Sequence, residues 1–108
     1  MLLLDNDKPM ISTPNPTPVE HTAITLTCTL ATIPATDPLR GYEWYKDGAM
    51  ILDTADNTYD IRKTGRAHSG AYRCKALWDD NSKISELSDA EEVMVLCKFY
   101  TVFIMCRA

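Results

Sequence analysis

Four cysteines, Cys28, Cys74, Cys97 and Cys106, and two histidines, His21 and His68, are the side chains of this sequence best suited to covalent, metal or proton-transfer chemistry. A zinc site needs three or four ligands at short, regular spacing, and Cys97 and Cys106 stand at no such spacing from either histidine. His68 precedes Ser69, but neighbours on an extended chain point to opposite faces, so the two do not make a base and a nucleophile. The sequence has no phosphate-cradling glycine loop and no nucleophile elbow, and no catalytic residue, metal ligand or cofactor is expected. What remains is the chemistry of cysteine itself, which depends on the strands that carry the sulfurs.

Those strands are legible. In Ser69-Gly70-Ala71-Tyr72-Arg73-Cys74, Tyr72 and Cys74 share one face of an extended chain and Arg73 takes the other. In Ile24-Thr25-Leu26-Thr27-Cys28-Thr29-Leu30, apolar and hydroxyl side chains alternate strictly, sending Ile24, Leu26, Cys28 and Leu30 inward and three threonines outward. Between the cysteines lies Trp44, closely followed by the turn signal Asp47-Gly48. Two inward cysteines on separate strands with an indole between them in sequence describe a bridge between two packed sheets. They are compatible too with two reduced, buried thiols, since the redox compartment decides which forms.

Cys28, the run Trp44-Tyr45-Lys46-Asp47-Gly48, Tyr59-Asp60-Ile61 and Ser69 to Cys74 together resemble the immunoglobulin superfamily, of the I-set or C2 type, from about Lys8 to Leu96. The order cysteine, tryptophan, cysteine, with a tyrosine two residues before the second cysteine, is the specific part of that likeness. It implies an all-β antiparallel sandwich of two sheets with Greek-key connections and seven to eight strands. About thirty residues separate Trp44 from Cys74, too few for the two additional strands of a variable-type domain. The family usually has an acid where this chain has His68 and an aliphatic residue where it has Thr64, so the usual corner ion pair is in question. Short runs such as Lys8-Pro9-Met10-Ile11-Ser12 and Leu87-Ser88-Asp89 look like extracellular adhesion and Fc-receptor-type domains.

Length and charge narrow the class further. A chain of 108 residues holds one sandwich, and fifteen acids against eleven bases, net −4, provide no basic stripe for nucleic acid or an anionic membrane. A protein ligand or a homophilic partner is expected, with no nucleic acid, no small-molecule substrate, and membrane attachment only through a parent chain. Met1 to Leu4 is interrupted by Asp5 and Asp7 before an apolar region of ~7–15 residues can form, so this chain carries no signal peptide of its own. A Cys28–Cys74 bridge closes a loop worth roughly 4 kcal/mol in the chain-entropy model.

In chain order, the segment from Pro9 to Thr13 is expected as an edge strand. The alternating Pro14, Pro16 and Pro18 that follow suit a crossing from one sheet to the other, because proline gives the ladder no donor. The stretch from Ala31 to Leu39 is expected as an exposed loop and Asp79 to Ser82 as a turn-rich tip. The predicted core is Ile24, Leu26, Cys28, Trp44, Ile61, Tyr72, Cys74, Val93 and Val95. Residues 8–96 are expected to form the immunoglobulin-like domain and 97–108 an apolar tail outside the family pattern. From Val93 to Ala108 the chain falls short of the ~20 apolar residues of a membrane span, and Phe99 to Met105 has the β-rich, uncharged composition of an edge-pairing segment. The tail is expected either to prolong the last strand and pair with a second copy, or to stand unordered between two spare thiols.

With Trp44, Tyr72 and Cys74 inward, Glu43 and Tyr45 from one strand and Arg73, Lys75 and Leu77 from its neighbour face outward. An exposed tyrosine flanked by both charge signs has the composition of a recognition patch. The bland alternative is a cross-strand ion pair of Glu43 with Arg73 or Lys75 on a solvated sheet. Trp78 stands as a lid on the core if the alternation continues, or as a binding anchor if it sits in a loop. The expected function is protein recognition within a larger cell-surface or secreted adhesion or receptor protein. The competing class is an intracellular structural module of a muscle-type array, whose thiols would stay reduced.

Overall fold

The computed structural model describes residues 8–30, 39–52, 54–78, 86–99 and 102–105. Strand β1 (Met10–Ser12) pairs with β2 (Ile24–Thr29), and β2 with β5 (Thr58–Ile61), in one antiparallel sheet. The second sheet runs β4 (Ala49–Ile51), β3 (Leu39–Lys46), β6 (Gly70–Trp78), β7 (Glu91–Val93), also antiparallel. A 3₁₀ turn, Arg66–His68, leads into β6. The strand β3 begins at Leu39, so the last residue of the expected loop is strand; residues 31–38 and the expected tip at 79–82 lie outside the described residues.

The nine predicted core residues form one buried cluster between the sheets. Ile24, Leu26, Cys28 and Ile61 come from one inner face and Trp44, Tyr72, Cys74 and Val93 from the other, with Val95 just beyond β7. Side chains of this size contribute about 1.5–3 kcal/mol each when fully buried. Cys28 and Cys74, both inward as the alternation of their strands places them, are joined by a disulfide, Cα to Cα 6.3 Å. Tyr59 stacks at a tilt between Trp44 (6.0 Å) and Tyr72 (6.1 Å), and the Trp44 indole N–H donates to the Asp56 carbonyl at 2.8 Å, so the buried ring leaves no polar atom unpaired. On the outer side of β2, Thr25 donates to Asp60 across the register at 2.7 Å.

Each residue from His68 to Cys74 has a separate task. The Tyr72 hydroxyl donates to the His68 carbonyl at 2.5 Å, tying β6 back to the turn that precedes it. Ser69 Oγ accepts from the Val95 N–H at 2.9 Å, and Ala71 exchanges backbone and side-chain bonds with Asp47: the Asp47 N–H reaches the Ala71 carbonyl at 2.8 Å, and the Ala71 N–H reaches Asp47 Oδ1 at 2.9 Å. Gly70 makes room for that carboxylate, since a Cβ there would stand 2.8 Å from Asp47 Oδ2. At the two positions that depart from the family pattern, the polar groups are satisfied locally. His68 Nδ1 accepts from the Gly65 N–H at 2.9 Å, and the buried Thr64 hydroxyl donates to the Val19 carbonyl at 3.0 Å.

The proline-rich stretch does cross between sheets. After β1, the carbonyls of Pro16 and Pro18 accept from the N–H groups of Met94 and Leu96, both at 2.8 Å, and the Glu20 N–H donates to the Leu96 carbonyl at 2.7 Å, with Val19 and Leu96 in a parallel bridge. Prolines at 16 and 18 keep their acceptors while offering no donor, which suits a short edge pairing.

Among the described residues, the tail neither prolongs the last strand nor stands unordered. It does not run on as one straight strand, and it is not unpaired: β8 (Leu96–Phe99) turns back into β9 (Val102–Met105), from Leu96 opposite Met105 to Phe99 opposite Val102. The facing edges of β8 and β9 satisfy each other's backbone groups without a second molecule. Cys97 is disulfide-bonded and packs against the core cluster, so it is not a spare thiol.

Two substitutions test the corner. Tyr72→Phe removes the bond to the His68 carbonyl and is expected to cost about 1 kcal/mol, read as a fall of about 4–8 °C in melting temperature. Gly70→Ala is expected to destabilise wild type but to cost clearly less in an Asp47→Ala background, because the clash is with that carboxylate; equal costs in both backgrounds would locate the strain elsewhere.

Candidate recognition face

Alternation along β3 and β6 puts Glu43, Tyr45, Arg73 and Lys75 on the outer side of the four-stranded sheet, with Glu43 opposite Lys75 and Tyr45 opposite Arg73. From β4, Met50 stands opposite Tyr45 and is exposed. The expected cross-strand ion pair does not form: Glu43 Oε1 accepts the Tyr45 hydroxyl at 2.8 Å, and the Lys75 ammonium lies 5.5 Å from the centroid of the Tyr45 ring. Residues two apart on a strand share a face, so the phenol reaches Glu43 without crossing the ladder, and the ring then offers its face to the lysine. Tyr45 is therefore half-buried and braced, where a freely solvated ring was expected. Burial first, then the bond to Glu43, pushes its pKa up to about 12.

Tyr45, Arg73 and Lys75 line a cleft of about 440 Å³ together with Asp47, Gly48, Ala71 and Leu87. Asp47 (φ 52°) and Gly48 (φ 88°) form the β3–β4 turn, and both take the left-handed conformation that a two-residue hairpin demands. The Ala71 N–H, helped by Lys46, holds the Asp47 carboxyl below its ordinary pKa. Sequence reasoning missed Leu87. Ser88 is buried and pairs with inward Cys74, its N–H donating to the Cys74 carbonyl and its Oγ accepting from the Cys74 N–H, both at 2.9 Å. Leu87, one residue earlier, is turned to the cleft. The available signal was the serine between Leu87 and Asp89, whose buried hydroxyl substitutes for a backbone acceptor.

Beside the cleft, Lys8 and Asp89 form an exposed ion pair at 2.7 Å, which raises the pKa of Lys8 and lowers that of Asp89. Arg73 lies near enough to act on both groups electrostatically, yet it makes no ion pair among the described residues.

Two expected members of the patch stand differently. Leu77 has the outward parity but is buried, with 7% of its surface exposed, and so is not a free contact. Its register partner is Gly41, next to a shift in the β3–β6 pairing, and the Ala55 carbonyl lies so close to Gly41 that a Cβ there would be 3.1 Å from it. Outward parity alone therefore does not expose a side chain. Trp78 ends β6 opposite Leu39, and its side chain lies outside the described residues, so neither the lid nor the anchor is tested. Cys28, Cys74, Trp44 and Tyr72 belong to the core and present nothing to this face.

A family model described as immunoglobulin domain matches residues 8–95 of the chain. The chain belongs to the immunoglobulin family. Among solved structures, this immunoglobulin domain is similar to the second Ig-C2 domain of human Fc-receptor like A, with 26% identity, a TM-score of 0.67, and 82% of this chain and 95% of that one covered. It is similar in fold to the three N-terminal domains of the bacteriophage RB49 highly immunogenic outer capsid protein, at 19% identity and a TM-score of 0.71, covering 82% of this chain and 29% of that one. Murine CEACAM1b gives 19% identity and a TM-score of 0.62, with 82% and 44% covered. No curated protein sequence matches the chain.

The raised phenol pKa has a direct consequence. A tyrosine whose folded pKa lies above its unfolded value of about 10 contributes stability that is complete below pH 10 and is lost as pH rises toward 12. Burial raises Tyr42 and Tyr72 in the same direction. Absorbance titration at 295 nm is expected to show late phenol ionisation that Tyr45→Phe reduces and Glu43→Gln shifts only part of the way down, since burial is the larger cause. A full return to pH 10 in Glu43→Gln would show that the hydrogen bond alone raised it.

Proposed function

We propose that this immunoglobulin domain is a non-catalytic protein-recognition module of a cell-surface or secreted adhesion or receptor protein, acting through the outer face of β3 and β6 without a cofactor. The observation that carries the reading is the cleft, in which Arg73 and Lys75 face outward from a chain of net charge −4 with neither engaged by a carboxylate among the described residues. Cations with no carboxylate partner among the described residues, around a tyrosine braced at both its hydroxyl and its ring, supply the rigid aromatic and the directional charge that recognition patches concentrate. Leu87 adds an apolar wall. The Cys28–Cys74 disulfide supports an oxidising compartment, and the likeness to a human Fc-receptor like domain over nearly its whole length supports a receptor setting. We place the recognising unit at residues 8–96 and treat 97–108 as an addition to it.

Screening the protein, displayed as a multimer, against a panel of cell-surface ectodomains, with itself included, provides the partner. For any partner so found, Arg73→Glu is expected to lower affinity at least about tenfold and Tyr45→Ala about fivefold, the first with no change in melting temperature. Undiminished affinity in both variants would move the contact to the β1–β2–β5 sheet. A thiol count on denatured, non-reduced protein is expected to find at most one free thiol, since Cys28, Cys74 and Cys97 are all disulfide-bonded, and four would favour a reducing compartment.

A further inference from the structure

We propose that the β8–β9 hairpin is a self-association surface, through which two copies of this chain pair β9 against β9 into a continuous four-stranded antiparallel sheet. This surface is separate from the cleft, and the proposal stands independently of the reading given above.

The hairpin is anchored at one side and open at the other. Its first strand is held to the sandwich by the backbone bonds of Leu96 with Pro18 and Glu20 and by the packing of Cys97 on the core, whereas β9 pairs with β8 alone among the described residues. The outer edge of β9 therefore carries a row of backbone donors and acceptors with no strand beside it. Val102, Phe103 and Ile104 are each 52% exposed, and because consecutive residues of a strand point to opposite faces, the hairpin shows apolar groups on both faces. A two-stranded hairpin of this kind is marginal in water, and a third and fourth strand would stabilise it.

The occupant has to be another extended, uncharged strand. The sequence carries no charge from Phe99 to Cys106, while the chain as a whole is acidic, so the β9 edge of a second copy offers a seam free of carboxylates on either side. The pairing closes on itself. Residues opposed in an antiparallel pair share a face, so a two-fold axis between two β9 strands passes through a residue position, here Phe103 or Ile104, and the neighbours of that residue then oppose each other.

Sedimentation equilibrium on the full chain without reductant, together with a non-reducing denaturing gel, tests this. A reversible dimer with Kd of about 1–100 μM that runs as monomer on the gel is the expected result. Phe103→Lys, Phe103→Glu, Ile104→Lys and Ile104→Glu are each expected to be monomeric, and mixing the oppositely charged pair at the axial residue is expected to restore the dimer. A measurement on unaltered protein runs alongside: amide exchange from Val102 to Met105 is expected to slow at least fivefold between dilute and concentrated samples. Wild type that stays monomeric at about 200 μM, variants that dimerise like wild type, or exchange independent of concentration would each overturn the proposal. Monomeric wild type that co-sediments with phosphatidylcholine vesicles would overturn it in favour of a lipid surface.

Discussion

The bond between Cys28 and Cys74 sets the spacing on which the rest of the molecule depends. It joins the middle strand of each sheet, with Trp44, Tyr59 and Tyr72 filling the space beside it. A link of this kind acts on the unfolded chain as much as on the folded one, because it removes conformations that a loop of this length would otherwise explore. With the inner faces fixed, alternation leaves β3 and β6 no choice of which side chains to present. Glu43, Tyr45, Arg73 and Lys75 are outward because Trp44 and Cys74 are inward.

The outer face then acquires an order of its own. A tyrosine two residues from a glutamate on the same strand is within reach of it, and that contact leaves Lys75 without the acid that register sets opposite it. The turn at Asp47-Gly48 adds a rigid part to the lining of the cleft, because its carboxylate is bound to the backbone of β6 and is not free to sweep across the surface. Shape and charge on this side thus rest on short-range bonds among neighbours in space, laid over a frame set by the core.

Much of this was legible in advance, and the part that was not has physical reasons. All nine predicted core residues lie in the buried cluster, because period-two alternation depends only on the residue before and the residue after. The crossing at Pro14 to Pro18 was legible from the missing donors of proline. Leu77 was misplaced because exposure depends on what packs over a residue as well as on its parity, and no local pattern announces that. The ion pair expected at Glu43 gave way to a competing donor on its own strand, a contest of geometry that composition does not decide. Leu87 escaped notice because its orientation follows from an irregular pairing through a serine hydroxyl. The tail was read for its propensity, which was right in being strand-like, while the pairing of β8 with β9 is a choice of partner that propensity does not decide.

The parallel contact between Pro16–Glu20 and Met94–Leu96 bears on mechanical load. If the domain is pulled by the segments entering before Pro16 and leaving after Leu96, the two strands are drawn past each other along their length. The Pro16–Met94, Pro18–Leu96 and Glu20–Leu96 bonds then bear the force together, in shear. An antiparallel pair pulled from one end would open its bonds in succession, each at low force. The prolines limit the number of bonds in this patch, so resistance there is bounded by three, and behind them the Cys28–Cys74 bond keeps the sheets joined after the patch gives way.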